Sequence, residues 1–237
     1  MNLQGKEMVD ESKEAIESSK AIQEMAKTGG KVVGLVRDFG KFIAKYIHGP
    51  VEQGVGIFED KLHYMRFERQ VRYMERVNQL MASLGKDVPT KAIPLKLAVP
   101  LFQAASLEDD DYLQDMWARL LVNASISERG MELRRAHIDI LERLSHLEVL
   151  ILEKIYSLPA DKIKGSSIIT GQLPDAVSVE GKDQEKLVSP NEEVTMALAN
   201  LDRLGCIKLP TTWDGAEIFT SVCPTVMGES LVKACQF

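Results

Sequence analysis

Five acidic side chains lie close together near the middle of the chain and are the residues best suited to chemistry. Glu108, Asp109, Asp110, Asp111 and Asp115 could supply the oxygen ligands that Mg²⁺ and Ca²⁺ prefer. They lack the interleaved spacing and central glycine of an EF-hand loop. Acidic residues at the start of a helix also accept hydrogen bonds from its free N–H groups and complement its positive end. The pattern favours helix capping over metal binding, with partner binding as a further alternative.

The other residue types that catalyse reactions or bind cofactors follow no recognised motif. The chain has four histidines and three cysteines: His48, His63, His137, His146, Cys206, Cys223 and Cys235. None of them has HExxH or CxxC spacing, and the glycines form no dinucleotide-binding or phosphate-binding loop. We therefore predict a protein that is not an enzyme, with no catalytic residues, metal or cofactor. A Cys–His pair assembled in space from distant positions stays open as an alternative.

Four arginines recur at three- and four-residue spacing and form one stripe on a predicted helix: Arg66, Arg69, Arg72 and Arg76. Guanidinium groups suit two-pronged contacts with phosphate, so this stripe is a candidate phosphate-binding surface. Glu68 and Glu75 lie on the same segment. The presence of both positive and negative side chains on this segment favours a solvated or salt-bridged face over a phosphate site.

Residues 31–47 combine a basic side with an aromatic, apolar side, and hold four Lys or Arg residues against one acidic residue, Asp38. Helices that lie in a membrane interface show this combination. The predicted membrane or partner face comprises Lys31, Leu35, Arg37, Phe39, Lys41, Phe42, Lys45 and Tyr46. The same apolar residues could instead pack against residues 51–65 as a core hairpin, and the pattern favours this alternative.

Charge is distributed unevenly along the 237 residues, whose formal net charge is −6. Residues 1–92 carry +2, residues 93–144 carry −3 and residues 145–237 carry −5. A basic arm on an acidic body predicts different partners for different parts and disfavours a dedicated DNA-binding protein. The few scattered cysteines suit a reducing compartment, and no secretory signal or long apolar run is present. We expect a cytoplasmic protein that is peripheral at a membrane if residues 31–47 bind lipid.

Apolar periodicity predicts a mostly α-helical protein in three parts. Residues 1–30 form a charged helical segment, residues 31–144 a helical body with an amphipathic hairpin, and residues 145–237 a winged-helix-like α+β module. Within the body, Pro100 should kink or divide a helix. Ser106 is expected to cap the next helix, which has a buried stripe: Leu113, Met116, Trp117, Leu120 and Leu121. A further helix is predicted over 132–144.

The C-terminal order of helix, helix, two strands and helix is that of a winged-helix domain. Ser145 and Glu148 form a capping box that opens the first helix. The second helix should begin at a Ser189 cap and end at a left-handed Gly205. Strands are expected over 206–209 and 217–222, with a last helix over 225–235. The second helix is acidic, so this module is expected to mediate dimerisation or protein binding.

One segment, residues 93–125, has a distinctive set of positions. They are Pro94, Pro100, the run from Ala104 to Asp109, Gln114, Trp117, Ala118, Leu120, Leu121 and Asn123. On these residues the chain resembles the bacterial abortive-infection alpha (Abi-alpha) family, formerly a domain of unknown function. The resemblance extends more loosely through 201–205 and 225–235. It implies a role in abortive infection, in which an infected bacterium arrests or dies before phage can spread, and it supplies no catalytic residues.

We therefore expect an antiphage effector or regulator without enzymatic chemistry, held as a homo-oligomer by helix pairing. It would act through its amphipathic N-terminal region on an anionic membrane or on a host or phage protein. Two alternatives stay open: a nucleic-acid-associated module that uses the Arg66–Arg76 stripe, and a structural adaptor for a protein encoded in the same operon.

Overall fold

Helices make up most of the described chain, which comprises residues 34–50, 52, 67–163, 165–179 and 187–236 of a computed structural model. The first helix, α1, occupies 34–47 of these residues. The body continues with α2 (Phe67–Ser83), α3 (Leu95–Leu107), α4 (Asp111–Ser125), a short 3₁₀ turn (Ser127–Arg129) and α5 (Arg135–Leu141). The predicted charged segment 1–30, most of the second hairpin helix and both Lys31 and Arg66 lie outside the described residues.

The C-terminal part is an α+β module with a small antiparallel sheet. Its elements are α6 (His146–Tyr156), α7 (Ala160–Ile163), β1 (Ile168–Ile169), β2 (Ser178–Val179), α8 (Glu192–Arg203), β3 (Ile207–Lys208), β4 (Ser221–Pro224) and α9 (Val226–Cys235). The strands form one antiparallel sheet in the order β2-β1-β4-β3. The mostly helical fold class and its small C-terminal sheet are thus confirmed.

Three local predictions need correction: two concern the residue that caps a helix, and one concerns the length of a helix. Ser106 lies inside α3, and Asp110 is the N-cap of α4 because its carboxylate accepts from the Leu113 N–H at 2.9 Å. Asn191, and not Ser189, caps α8 through a 2.8 Å bond from the Val194 N–H. The helix predicted over 132–144 is shorter, because residues 130–134 are not helical.

Two further differences concern Pro100 and the strands. Pro100 does not divide α3. Its ring removes one backbone hydrogen bond, and the burial of Leu101 and Phe102 on the same helix compensates for that loss. The sheet also includes β1 and β2, for which the sequence predicts no strand, and the second predicted strand begins four residues later than expected.

A single buried cluster runs from Phe39 on α1 to Cys235 on α9 and joins the body to the C-terminal module. The predicted stripe of α4 is buried throughout, and Trp117 is completely inaccessible to solvent. Asn123, also on α4, donates from Nδ2 to the carbonyl oxygens of Ala234 at 2.8 Å and Gln236 at 2.7 Å. These bonds satisfy backbone groups at the end of α9 that its own helix leaves free.

None of the helices described by the structure is long and apolar enough to cross a lipid bilayer.

Candidate functional site

The aromatic side of α1 is packed into the body. Phe39, Phe42 and Tyr46 expose 1%, 5% and 2% of their surface. All three surround Phe102 of α3, with ring centroids 6.0–6.3 Å away at steep interplanar angles. Aromatic pairs in this edge-to-face arrangement are stabilising beyond the area that they bury. The aromatic members of the predicted membrane face therefore anchor α1 to α3.

The opposite side of α1 carries an exposed row of cations. Arg37, Lys41 and Lys45 follow each other at four-residue spacing, which places them on one side of a helix. Lys41 contacts Asp38 at 3.4 Å, with both side chains more than half exposed. Within the described residues, Arg37 and Lys45 form no ion pair. Leu35, the remaining described member of the predicted face, is half-buried.

The helix ends at residue 47, before the sequence His48-Gly49-Pro50. His48 adopts a left-handed conformation with φ of 50°, and the Gly49 N–H returns to the Ala44 carbonyl at 3.2 Å. The Ile93 N–H then donates to the Tyr46 carbonyl at 2.9 Å. This bond ties the end of α1 to the segment that leads into α3, so α1 is held at its end as well as along its aromatic side.

The arginine stripe on α2 faces the acidic run before α4. Arg69 donates to the Leu107 carbonyl at 2.5 Å and pairs with Asp109 at 2.8 Å. Arg72 pairs with Asp111 at 2.9 Å. The structure therefore places these two guanidinium groups against the protein's own carboxylates and carbonyl groups.

Arg76 extends the same network by one helical turn. It pairs with Asp111 at 2.5 Å and with Asp115, and it donates from Nε to the side-chain oxygen of Gln114 at 3.0 Å. Ion pairs that share partners in this way are worth more than isolated surface pairs. A phosphate group would have to displace these carboxylates before it could bind Arg69, Arg72 or Arg76.

Gln114 is the buried centre of this network, with 1% of its surface exposed. Besides accepting from Arg76, its amide nitrogen lies 3.2 Å from the Arg69 carbonyl and 3.4 Å from the Glu108 carbonyl. The Gln114 side chain thus links three elements: α2, the turn that follows α3, and α4 itself. The sequence pattern pointed to Gln114 only as part of the family resemblance, since a lone glutamine between Leu113 and Asp115 has no other signal.

Replacing Gln114 with leucine is expected to lower the free energy of unfolding by about 2 kcal/mol, because two backbone carbonyls and the Nε of Arg76 would lose a buried partner. Urea unfolding followed by circular dichroism measures the difference. Gln79→Leu, at an exposed position on α2, is the matched control and should change stability by less than about 0.5 kcal/mol. Equal effects of the two substitutions would contradict the central role of Gln114.

The remaining acidic residues of the cluster act in capping and in a second inter-helix contact. Glu108 accepts from the backbone N–H groups of Asp109 and Asp110 at 3.0 Å. Asp110 also lies 2.9 Å from Nδ1 of His146 on α6. Partial burial opposes ionisation of Asp110, but the Leu113 N–H and His146 outweigh it and lower the pKa of Asp110. The acidic run therefore fixes the start of α4 between α2 and α6, as the capping interpretation predicts for Asp110.

The residues considered for catalysis are distributed over the fold. Burial raises the pKa of Cys206 and of Cys235 to about 12, so both thiols are protonated near neutral pH. His146 lies against Asp110, and His137 lies against Ser230. Among the residues that the structure describes, no three carboxylate, histidine or cysteine side chains converge as metal ligands do.

These features define a mostly helical protein in which a basic helix is anchored to a helical body that shares its core with a C-terminal α+β module. The profile of the family described as abortive infection alpha matches residues 68–235. The chain belongs to this family, which associates it with abortive-infection defence. Neither a curated protein nor a solved structure matches the chain.

Proposed function

We propose that this protein is an effector or regulator of abortive infection that acts by binding and not by catalysis. Its working surface is the exposed basic row of α1, formed by Arg37, Lys41 and Lys45, and the partner is an anionic membrane surface. The observation that supports this proposal is the division of α1 into two sides. Its aromatic side is buried against Phe102, and its cations point away from the body.

This geometry determines how such a helix would meet a membrane. The rings of Phe39, Phe42 and Tyr46 are buried, so in this conformation they are not available to enter lipid. The contact would be electrostatic and peripheral. Insertion of the rings would require α1 to leave α3.

The number of cations sets the strength of the contact. Each basic residue near an anionic bilayer contributes about 1 kcal/mol, so the row contributes about 3 kcal/mol, and Asp38 subtracts from this. One copy would therefore bind weakly. Several rows in one assembly would bind together with much higher apparent affinity, which is why we include a homo-oligomer in the proposal. In this proposal the protein is cytoplasmic and reaches the membrane only through this contact.

The test is the triple variant Arg37→Glu, Lys41→Glu and Lys45→Glu, studied with vesicles and in infected cells. The wild-type protein should float with vesicles that contain anionic phosphatidylglycerol at low salt and should dissociate as salt rises. Neutral phosphatidylcholine vesicles should not bind. The triple variant should lose both vesicle binding and protection against phage in a plaque assay.

The control for this test makes the same change of charge at three other positions: Arg143→Glu at the end of the helical body, and Lys154→Glu and Lys162→Glu in the C-terminal module. It should keep both activities. Substitution of Phe42 or deletion of 31–47 is unsuitable, because either change removes core residues. Full protection by a folded triple variant contradicts the proposal. Loss of protection without any vesicle binding by the wild-type protein would replace the membrane with an acidic protein partner.

The nucleic-acid alternative would use Arg69, Arg72 and Arg76, each of which is paired within the protein. No feature of the described structure favours it over the proposed contact.

A further inference from the structure

A depression of about 450 Å³ lies between α5 and α9, where the body meets the C-terminal module. Its rim carries three cations, Arg129, Arg134 and Lys233, and one anion, Glu132. Its inner wall includes His137 and Ser230. The excess of positive charge contrasts with the net charge of −5 of residues 145–237.

The two side chains at the inner wall, His137 and Ser230, belong to a chain of hydrogen bonds in which each donor and acceptor can be assigned. The Arg134 N–H donates to Nδ1 of His137 at 3.4 Å, and Nε2 of the same ring lies 2.9 Å from Oγ of Ser230. Because Nδ1 accepts, neutral His137 holds its proton on Nε2 and donates it to Ser230. Burial, with a further contribution from the charge of Arg134, lowers the pKa of His137 and keeps it in this neutral form.

Because the Ser230 oxygen accepts the hydrogen bond from His137, the hydroxyl proton of Ser230 is available to donate to another acceptor. Within the described residues, that proton has no hydrogen-bond acceptor. Ser230 is half-buried and lines the depression, so a ligand inside it can accept this bond.

The cations that line the same depression are suited to an anion. Arg134 forms no ion pair with any residue that the structure describes, and its guanidinium can make two parallel bonds to phosphate. Lys233 pairs with Glu229 at 2.5 Å, but the two side chains are 68% and 44% exposed, and a solvent-exposed pair is weak enough for Lys233 to bind another anion. A hydroxyl donor, an arginine and a lysine around one cavity are the groups that bind a phosphate group.

We infer that this depression is a binding site for a small molecule that carries a phosphate group, held by Ser230, Arg134 and Lys233. A cavity of this volume falls within the range of small-molecule sites and is larger than a single phosphate ion needs. The ligand would bridge the body and α9. This inference does not depend on the proposed action of α1.

Isothermal titration calorimetry on the full chain at low salt tests the site with three probes: inorganic phosphate, adenosine monophosphate and adenosine. Phosphate and the monophosphate should bind, and adenosine should not. Tighter binding of the monophosphate would identify a phosphate ester as the ligand, and tighter binding of phosphate would identify the free anion. Absence of binding by both phosphate-containing probes overturns the inference.

Single substitutions test whether phosphate binds at this depression. Ser230→Ala, Arg134→Gln and Lys233→Gln should each weaken phosphate binding about tenfold. Glu132→Gln should tighten it, because an anion at the rim repels the ligand. Lys208→Gln, which removes an exposed cation on β3, should have no effect. Arg134 and Lys233 are exposed, so their substitution should leave the fold intact even if Ser230→Ala does not. Unchanged binding in both of these variants would overturn the inference.

Discussion

Replacing Phe102 with alanine is expected to lower the free energy of unfolding by about 3–5 kcal/mol, the range for truncation of a fully buried phenylalanine. Phe102 is completely buried and contacts Phe39, Phe42 and Tyr46 through its ring. The substitution removes the surface on which α1 rests. Urea unfolding measures the loss of stability, and hydrogen–deuterium exchange should show faster exchange of the amides of residues 34–47.

Phe219→Ala is the matched control for this substitution. Phe219 is half-buried next to β4, at a distance in sequence from α1. Its truncation should cost less stability and should leave exchange in residues 34–47 unchanged. If Phe102→Ala leaves exchange in α1 at the wild-type level, α1 is not held by these aromatic contacts, and the division of α1 into a buried and an exposed side fails as the basis of the proposed function.

Replacing Gly228 with alanine is expected to lower the free energy of unfolding by about 3 kcal/mol, although alanine is the better helix former by about 1 kcal/mol. A β-carbon at Gly228 would lie 2.0 Å from the Cys206 carbonyl oxygen and 2.3 Å from the Tyr156 hydroxyl oxygen. Neither atom can move freely. Cys206 belongs to the backbone before β3, and the Tyr156 hydroxyl accepts from the Thr225 N–H at 2.9 Å.

The same substitution at Gly34 on α1 provides the control, because no atom of the described residues outside its chain neighbours and its own helix backbone lies within 4 Å of its β-carbon position. Gly34→Ala should change stability by no more than about 1 kcal/mol, and in the stabilising direction. The two alanine variants are compared by thermal unfolding. A Gly228→Ala protein as stable as the wild type would show that α9 does not pack against Tyr156 and Cys206 as closely as the structure describes.

The two variants probe opposite ends of one core. Phe102 holds α1 on the body, and Gly228 lets α9 approach the loop before β3. Neither substitution removes a charge that the proposals invoke. A loss of phage protection in either variant would therefore follow from lost stability and could be separated from the charge-reversal variants, which should unfold like the wild type.

Local patterns in the sequence determined the helices and most of their ends. The 3.6-residue periodicity of α4 predicts a buried stripe, and every member of that stripe is buried. The Ser145–Glu148 capping box, the left-handed Gly205 and the N-cap at the start of α9 also depend on residues within one helical turn. Such features are predictable because the interacting groups are near neighbours along the chain.

The sequence did not identify the correct N-cap where two neighbouring residues could both cap a helix. Ser106 and Asp110 can both cap a helix, as can Ser189 and Asn191. Which residue becomes the N-cap depends on where the preceding segment ends, and tertiary packing decides that position. The helix α3 continues to Leu107 because Ala104 and Ala105 are buried against the body. The strands β1 and β2 were missed for a similar reason, since two-residue strands carry no periodicity of their own and form only by pairing with β4.

By itself the sequence determined the helical class, the family and the amphipathic character of residues 34–47. Only the tertiary structure decided which side of α1 is free and which charges are already paired. Arg69, Arg72 and Arg76 look like a phosphate stripe in sequence, but their carboxylate partners come from residues about 40 positions away. Partners at that separation leave no periodic signal, because long-range contacts depend on how helices pack and not on spacing within any one of them.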